Sequence, residues 1–279
     1  MKPSKTSPRN VRFLLLATAS FLALSLSACI LSDSKSEPEI GNGGTIELGQ
    51  TKTGSITSDK YAWKYTFTLT ETKMIIISME AINGEIDPFL ELRDSNNMLI
   101  ASDDDGYWEI DYDWESEDLD AAIRTVLVPG TYTIVAMSFE NAYIEHMQMH
   151  EDVEISVLET GDFALSLRAD AVGNGGTIAV GGNASNTIDD TTHGWLYTLT
   201  VPATAVLTID LEMTSGTLDA YLAVYNSSNT LVTANDDGGT GSNSRIQYTF
   251  TAGTYTILAT RYDEANGTSS GNFLLTVTQ

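Results

Sequence analysis

Two twenty-residue stretches decide the reading: "DPFLELRDSNNMLIASDDDG" at 87–106 and "DAYLAVYNSSNTLVTANDDG" at 219–238. Their apolar positions and acidic ends coincide at an offset of 132 residues. Leu90 and Leu92 stand where Leu222 and Val224 stand, each pair on one face of an extended run. A polar turn, "SNN" at 95–97 or "SSN" at 227–229, separates two such runs. That is the pattern of a β-hairpin. A hairpin centred near residue 96 carries the "DDDG" end back toward Asp87, and its counterpart carries Asp236 back toward Asp219. Carboxylates far apart in the chain should therefore meet at one tip in each stretch.

Outward from these stretches, the rest of the chain is also written twice. "GNGGTIELG" at 41–49 returns as "GNGGTIAVG" at 173–181, and Trp63 lies over Trp195. "DAAIRTVLVPGTYTIVA" at 120–136 matches "NSRIQYTFTAGTYTILA" at 243–259. The repeats end in "GDFALSLRAD" (161–170) and "GNFLLTVTQ" (271–279). The first is longer through insertions within 107–119 and 141–160. Runs such as "WKYTFTLT", "KMIIISME" and "AVLTIDLE" alternate or are β-branched, are bounded by Gly, Asn, Asp and Pro, and leave no long helical period. The expectation is an all-β fold: two tandem jelly-roll-like antiparallel β-sandwich domains, 41–170 and 171–279, set close together.

The chain has 279 residues and a formal charge of −24. Lys2, Lys5, Arg9 and Arg12 form a basic leader before the largely apolar run Phe13 to Leu26 and "LSAC" at 26–29. This resembles a bacterial lipoprotein signal: residues 1–28 as the signal peptide, Cys29 as the lipidated first residue, and 29–40 as a tether. The resemblance places the protein in the bacterial cell envelope, with the lipid membrane as partner through acylated Cys29. Ile30 and Leu31, rather than Asp, favour the outer membrane. The apolar run is too short and too near the leader for a permanent span. Cys29 is the only cysteine, so no intrachain disulfide can form. Without residues 1–28 the chain keeps ten Lys+Arg against 38 Asp+Glu, a charge of −28. Such a chain repels nucleic acid and suits divalent or polycationic partners.

Each repeat resembles the bacterial pre-peptidase C-terminal domain. In the first, the carrying residues are "DPFLELRD" (87–94), "LIASDDDG" (99–106), "AAI" (121–123) and "PGTYTIVA" (129–136). In the second they are "DAYLAVYN" (219–226), "LVTANDDGG" (231–239), "SRI" (244–246) and "AGTYTILA" (252–259). The resemblance implies an accessory module often found beside secreted proteases, some members of which bind calcium. By that resemblance Asp87, Asp103, Asp104, Asp105 and Asp120 are candidate calcium ligands in the first repeat. Asp219, Asn235, Asp236, Asp237 and Asn243 correspond in the second. The alternative is structural, since Asp and Asn cap their own backbone in turns.

Two insertions add residues outside that pattern. "YWEIDYDWESEDL" at 107–119 interleaves Glu109, Asp111, Asp113, Glu115, Glu117 and Asp118 with Tyr107, Trp108, Tyr112 and Trp114. Those four rings are a candidate binding loop for a polysaccharide or a protein, against the alternative of a hairpin packed on the body. "HMQMH" at 146–150 carries His146 and His150 with Met147 and Met149, residue types that suit copper; a strand edge or packed loop is the plainer reading.

Catalytic motifs are missing from the sequence. It has no H-E-x-x-H and no phosphate-binding glycine loop, and its one G-x-S-x-G, "GTSSG" at 267–271, leads into an alternating strand run and not a helix. His193 precedes Gly194 and Trp195 at a turn, with no nearby nucleophile that the other repeat shares. The expectation is a protein that is not an enzyme: a cell-envelope lipoprotein acting as a calcium-stabilised binding or adhesion module. The alternative is an accessory or structural subunit of a secreted enzyme or envelope assembly.

Overall fold

The structure is a computed structural model that describes residues 38–84, 86–106, 120–142, 159–264 and 267–279. Ser36–Gln279 forms one compact unit. Among the described residues the first repeat contributes β1 (Glu39–Thr45), β2 (Gln50–Ile56), β3 (Lys60–Leu69), β4 (Lys73–Gly84), β5 (Pro88–Arg93), β6 (Leu99–Asp103), β7 (Ala121–Leu127), β8 (Gly130–Ser138) and β9 (Gly161–Ala169). The second contributes β10 (Val172–Ile178), β11 (Asn183–Ile188), β12 (Gly194–Val201), β13 (Ala205–Gly216), β14 (Ala220–Asn226), β15 (Leu231–Asn235), β16 (Ser244–Phe250), β17 (Gly253–Arg261) and β18 (Gly271–Thr278).

Strand alternation translates directly into burial. In β3, Tyr65, Phe67 and Leu69 are buried while Lys64, Thr66 and Thr68 are exposed. In β9, Phe163, Leu165 and Leu167 point inward. The first repeat forms a five-stranded sheet, β1-β3-β8-β5-β6, and a four-stranded sheet, β2-β9-β4-β7. The second repeats that order strand for strand, as β10-β12-β17-β14-β15 and β11-β18-β13-β16. Tyr65, Phe67, Leu90 and Ile134 from one sheet pack with Ile75, Ile77, Phe163 and Leu165 from the other. The second repeat has an equivalent core around Tyr197, Leu222, Ile257, Ile209, Phe273 and Leu275.

The expected pair of tandem, jelly-roll-like antiparallel β-sandwiches is corrected on two counts. First, the sheets are mixed: β1 runs parallel to β3, and β10 parallel to β12. In each repeat the intervening strand, β2 or β11, lies in the other sheet, so the chain re-enters the first sheet pointing the same way. Period-two alternation reports which face a side chain takes and is silent on the direction of the neighbouring strand. Second, the described body is continuous. Met74 and Val126 of the first repeat pack with Leu196, Ala223 and Leu258 of the second, so four sheets stack in succession.

The glycines of "GNGG" have a steric reason. A Cβ at Gly43 would sit 2.2 Å from the Tyr65 ring, and one at Gly175 would sit 2.2 Å from Tyr197. The aromatic rings of β3 and β12 lie over these bare backbones. The tryptophans are pinned as well: Trp63 Nε1 donates to Ser55 O, and Trp195 Nε1 to Thr187 O, each at 2.8 Å.

Candidate functional site: two acidic tips

The hairpin expected around residue 96 forms. β5 and β6 pair antiparallel with Leu90 opposite Asp103 and Leu92 opposite Ala101. The turn is held by Asp94, whose Oδ1 accepts from Asn96 N and Met98 N, both at 2.8 Å. Asn97 takes the left-handed conformation (φ 63°) that closes it. In the second repeat β14 and β15 pair with Leu222 opposite Asn235. Asn226 Oδ1 accepts from Ser228 N and Thr230 N, and Asn229 takes φ 62°.

Not all of the candidate ligands are spent the same way. Asp103 Oδ2 accepts from Gly106 N at 2.6 Å and Ala122 N at 3.0 Å. Asp120 Oδ1 accepts from Ala81 N at 2.9 Å. Their counterparts repeat these bonds: Asn235 Oδ1 accepts from Gly238 N at 2.5 Å, and Asn243 Oδ1 from Met213 N at 2.8 Å. These four side chains hold loop backbone, which explains why Asn replaces Asp without loss: only an acceptor oxygen is required.

The remaining acids converge. Asp87 carries a carboxyl pushed up to about 6, by burial first and then by the charges of Asp105, Glu159, Asp104 and Glu140. Among the described residues its buried Oδ1 has no hydrogen-bond partner. Burial also raises Asp105, with Asp104 adding to it, and burial raises Glu159. In the second repeat Asp219 is raised by burial, then by Asp237, Asp236 and Asp263.

Glu140, Glu159 and Asp263 were not among the expected site residues. A signal for two of them exists in the sequence. "SFENA" at 138–142 aligns with "RYDEA" at 261–265, which sets Glu140 over Asp263. The structure ties both segments to the tips alike: Phe139 N donates to Asp87 O at 2.7 Å, and Tyr262 N to Asp219 O at 2.8 Å. Glu159 borders the insertion of the first repeat, and Asp87 N donates to its Oε2 at 3.2 Å.

The donor set at the first tip is all hard oxygen, and the orphaned Asp87 oxygen is the kind of group a cation would satisfy. The placement is looser than the chemistry. Among the described residues, no three His, Cys, Asp or Glu side chains stand together so as to hold a metal ion. Cys29, the rings Tyr107, Trp108, Tyr112 and Trp114, the acids of 109–118, and His146 and His150 lie outside the described residues. His193 pairs with Asp170, Nδ1 to Oδ1 at 3.4 Å. Among the described residues no helix is long and apolar enough to cross a membrane.

Residues 196–261 match the family described as the bacterial pre-peptidase C-terminal domain. The match is to one region, which corrects the expectation of two tandem copies. The insertion at 107–119 falls between the motifs "LIASDDDG" and "AAI" of the first repeat and changes their spacing. No curated protein matches the chain. Among solved structures, the pre-peptidase C-terminal domain of collagenase from Bacillus anthracis is 17% identical, with a TM-score of 0.32, covering 38% of this chain and 95% of that one. PliG of Aeromonas hydrophila, a periplasmic inhibitor of g-type lysozyme, is 15% identical with a TM-score of 0.26, covering 37% and 98%. The CUB1-EGF-CUB2 domains of rat MASP-1 are 9% identical with a TM-score of 0.21, covering 83% and 99%. Likenesses this low assign nothing further.

Proposed function

We propose that the protein is an accessory or structural subunit of a secreted enzyme or of an envelope assembly, tethered in the bacterial outer membrane by lipid on Cys29. The observation that carries this reading is the match of residues 196–261 to a pre-peptidase C-terminal domain. The acid tips support it, because they sit on loops at strand ends, where a rigid scaffold presents groups to a partner. Affinity capture with the full chain from cross-linked envelope tests it. One stoichiometric protein partner is expected. Retention on a polysaccharide with no protein partner would replace the subunit with an adhesion module. Acylation is tested separately: incorporation of a fatty-acid label that Cys29→Ser abolishes is expected.

Calcium at the first tip is a second reading, favoured by the unpartnered oxygen of Asp87. No three of Asp87, Asp104, Asp105, Glu140 and Glu159 stand at holding distance as they are placed, so an ion would have to draw them together, its charge offsetting their mutual repulsion and pinning the loops. A ligand that binds only the folded state raises its melting temperature. The expected result is a higher Tm in calcium than in chelator, with the difference lost in Asp87→Asn. Identical melting in both buffers ends the reading.

A further inference from the structure

The two repeats are joined by a plug and a socket. Asn229, on the turn between β14 and β15, is only 7% exposed because its carboxamide enters the first repeat. Its Oδ1 accepts from Val128 N at 2.8 Å, and its Nδ2 donates to Tyr132 OH at 3.3 Å. The Tyr132 hydroxyl is itself fixed by donating to Val128 O at 2.7 Å. A carboxamide suits this socket because one group meets a donor and an acceptor together.

Both halves of the device occur twice. The socket recurs in the second repeat, where Tyr255 stands for Tyr132 and Thr251 for Val128; Tyr255 OH donates to Thr251 O at 3.0 Å and also lies 3.0 Å from Thr251 Oγ1, a hydroxyl that an entering carboxamide would displace. Around it is an open groove of about 500 Å³, lined in part by Leu231, Tyr248, Thr251 and Tyr255, with no charged residue. Tyr248 is 41% exposed there and Leu231 39%. The plug recurs in the first repeat as Asn97. It has the same left-handed backbone as Asn229 but is exposed, and Met98 (61%) and Leu99 (46%) beside it are also open to solvent. One end of the molecule thus carries an unused plug and the other an unused socket.

We propose that the groove around Tyr255 receives the Asn97 turn of a second copy of this chain, repeating between molecules the relation that joins the two repeats within one. A head-to-tail contact of this kind leaves a plug and a socket free on each growing assembly, so copies add one after another into open runs or, where the rotation closes, a ring. The faces flanking plug and socket are more polar than those of the internal joint: Lys64, Glu91 and Arg93 stand where the second repeat has Leu196, Ala223 and Tyr225. The contact is therefore weaker than the internal one and rests on the turn.

Sedimentation velocity of the full chain over a range of concentrations tests this. The expected result is a sedimentation coefficient that rises with concentration. Asn97→Gly keeps the left-handed turn and removes only the carboxamide; it should weaken association about tenfold, the worth of a buried hydrogen-bonded group. Ala252→Arg, which crowds the exposed groove lining, should abolish association, with thermal melts confirming that both variants fold. A coefficient independent of concentration overturns the proposal, as does Asn97→Gly associating like the parent. So does a groove that binds a free N-acetylated sugar while the coefficient stays flat.

Discussion

Equivalent faces of the two repeats have opposite character. On the outer face of β4 and β7, Met74, Ile76, Val126 and Ala122 are buried and Arg124 lies among them. The matching positions on β13 and β16 are Val206, Thr208, Thr249, Arg245 and Gln247; Val206 is 52% exposed and Arg245 forms a surface pair with Asp210. The other outer faces differ in the same sense. Leu196, Ala223 and Leu258 of the second repeat are buried against the first, while Lys64 and Arg93 at the free end face solvent more. Two copies of one pattern have become a left and a right half. The faces that meet at the joint are apolar, and the free faces carry more polar side chains, although Val135, which matches Leu258, is buried there in a small apolar cluster with Tyr61, Met137 and Ala142. Terminal repeats of stacked proteins follow the same logic, since an uncovered apolar face invites association.

Charge at the joint follows burial too. Arg124 pairs with Asp170 of its own repeat and with Glu264 of the second. Asp170 is 3% exposed in its side chain. Burial pushes its carboxyl up, but the Arg124 guanidinium outweighs this and holds it below the usual carboxylate range. Tyr225, packed beside Arg124, is pushed up to about 12 by burial, with Tyr221 adding to it and Arg124 opposing.

The sharpest way to break the comparison is a charge on each face in turn. Met74→Asp puts an unpaired carboxylate between the sheets and should cost about 3–5 kcal/mol. Val206→Asp, at the equivalent exposed position, should stay within about 0.5 kcal/mol. Urea unfolding of both reads the difference, and equal losses would mean that the joint contributes nothing. Next in size, Arg124→Ala leaves Asp170 buried without its cation and should cost about 3 kcal/mol. Arg245→Ala at the surface pair should cost about 0–1 kcal/mol. Third, Asn229→Gly keeps the turn but empties the internal socket, for about 1–2 kcal/mol, whereas Asn97→Gly leaves the stability of one molecule nearly unchanged.

The smallest effect is in pH, and it separates the tips from the joint. Asp87 is raised in the fold, so the folded state holds its proton more tightly than the unfolded chain. Its contribution is present below the unfolded carboxylate range and is lost as pH rises through about 6. Asp87→Asn should flatten stability between about pH 4 and 6. Asp170 runs the other way: its contribution is present above the unfolded value and is lost as pH falls through its lowered one. Arg124→Ala should therefore remove an acid-side loss of stability that Asp87→Asn leaves in place.

Much of this was legible along the chain. The duplication, the strands and both hairpins follow from alternation and from turn residues, because those are local constraints on backbone and face. The meeting of Asp87 with Asp104 and of Asp219 with Asp236 follows from the same hairpins. Asp103, Asp120, Asn235 and Asn243, expected as ligands, accept hydrogen bonds from Gly106 N, Ala81 N, Gly238 N and Met213 N, contacts that only the tertiary structure shows, because a side chain that caps a loop and one that faces a cation have the same letter. Glu140 and Asp263 continue the alignment of 120–136 with 243–259 at the same offset, but they lie outside the hairpins, and only the bonds from Phe139 N to Asp87 O and Tyr262 N to Asp219 O bring their segments to the tips.

Sequence alone determined that the described body is built mainly of strands, that its plan is used twice, and that acids gather at the hairpin ends, because hydrophobic period and turn chemistry act over a few residues. Tertiary structure decided the parallel pairing of β1 with β3, the stacking of the repeats into one body, and the split of acids between loop caps and repelling clusters. Those outcomes depend on which surfaces meet across long stretches of chain, and a buried methionine and an exposed valine differ only in what lies opposite them.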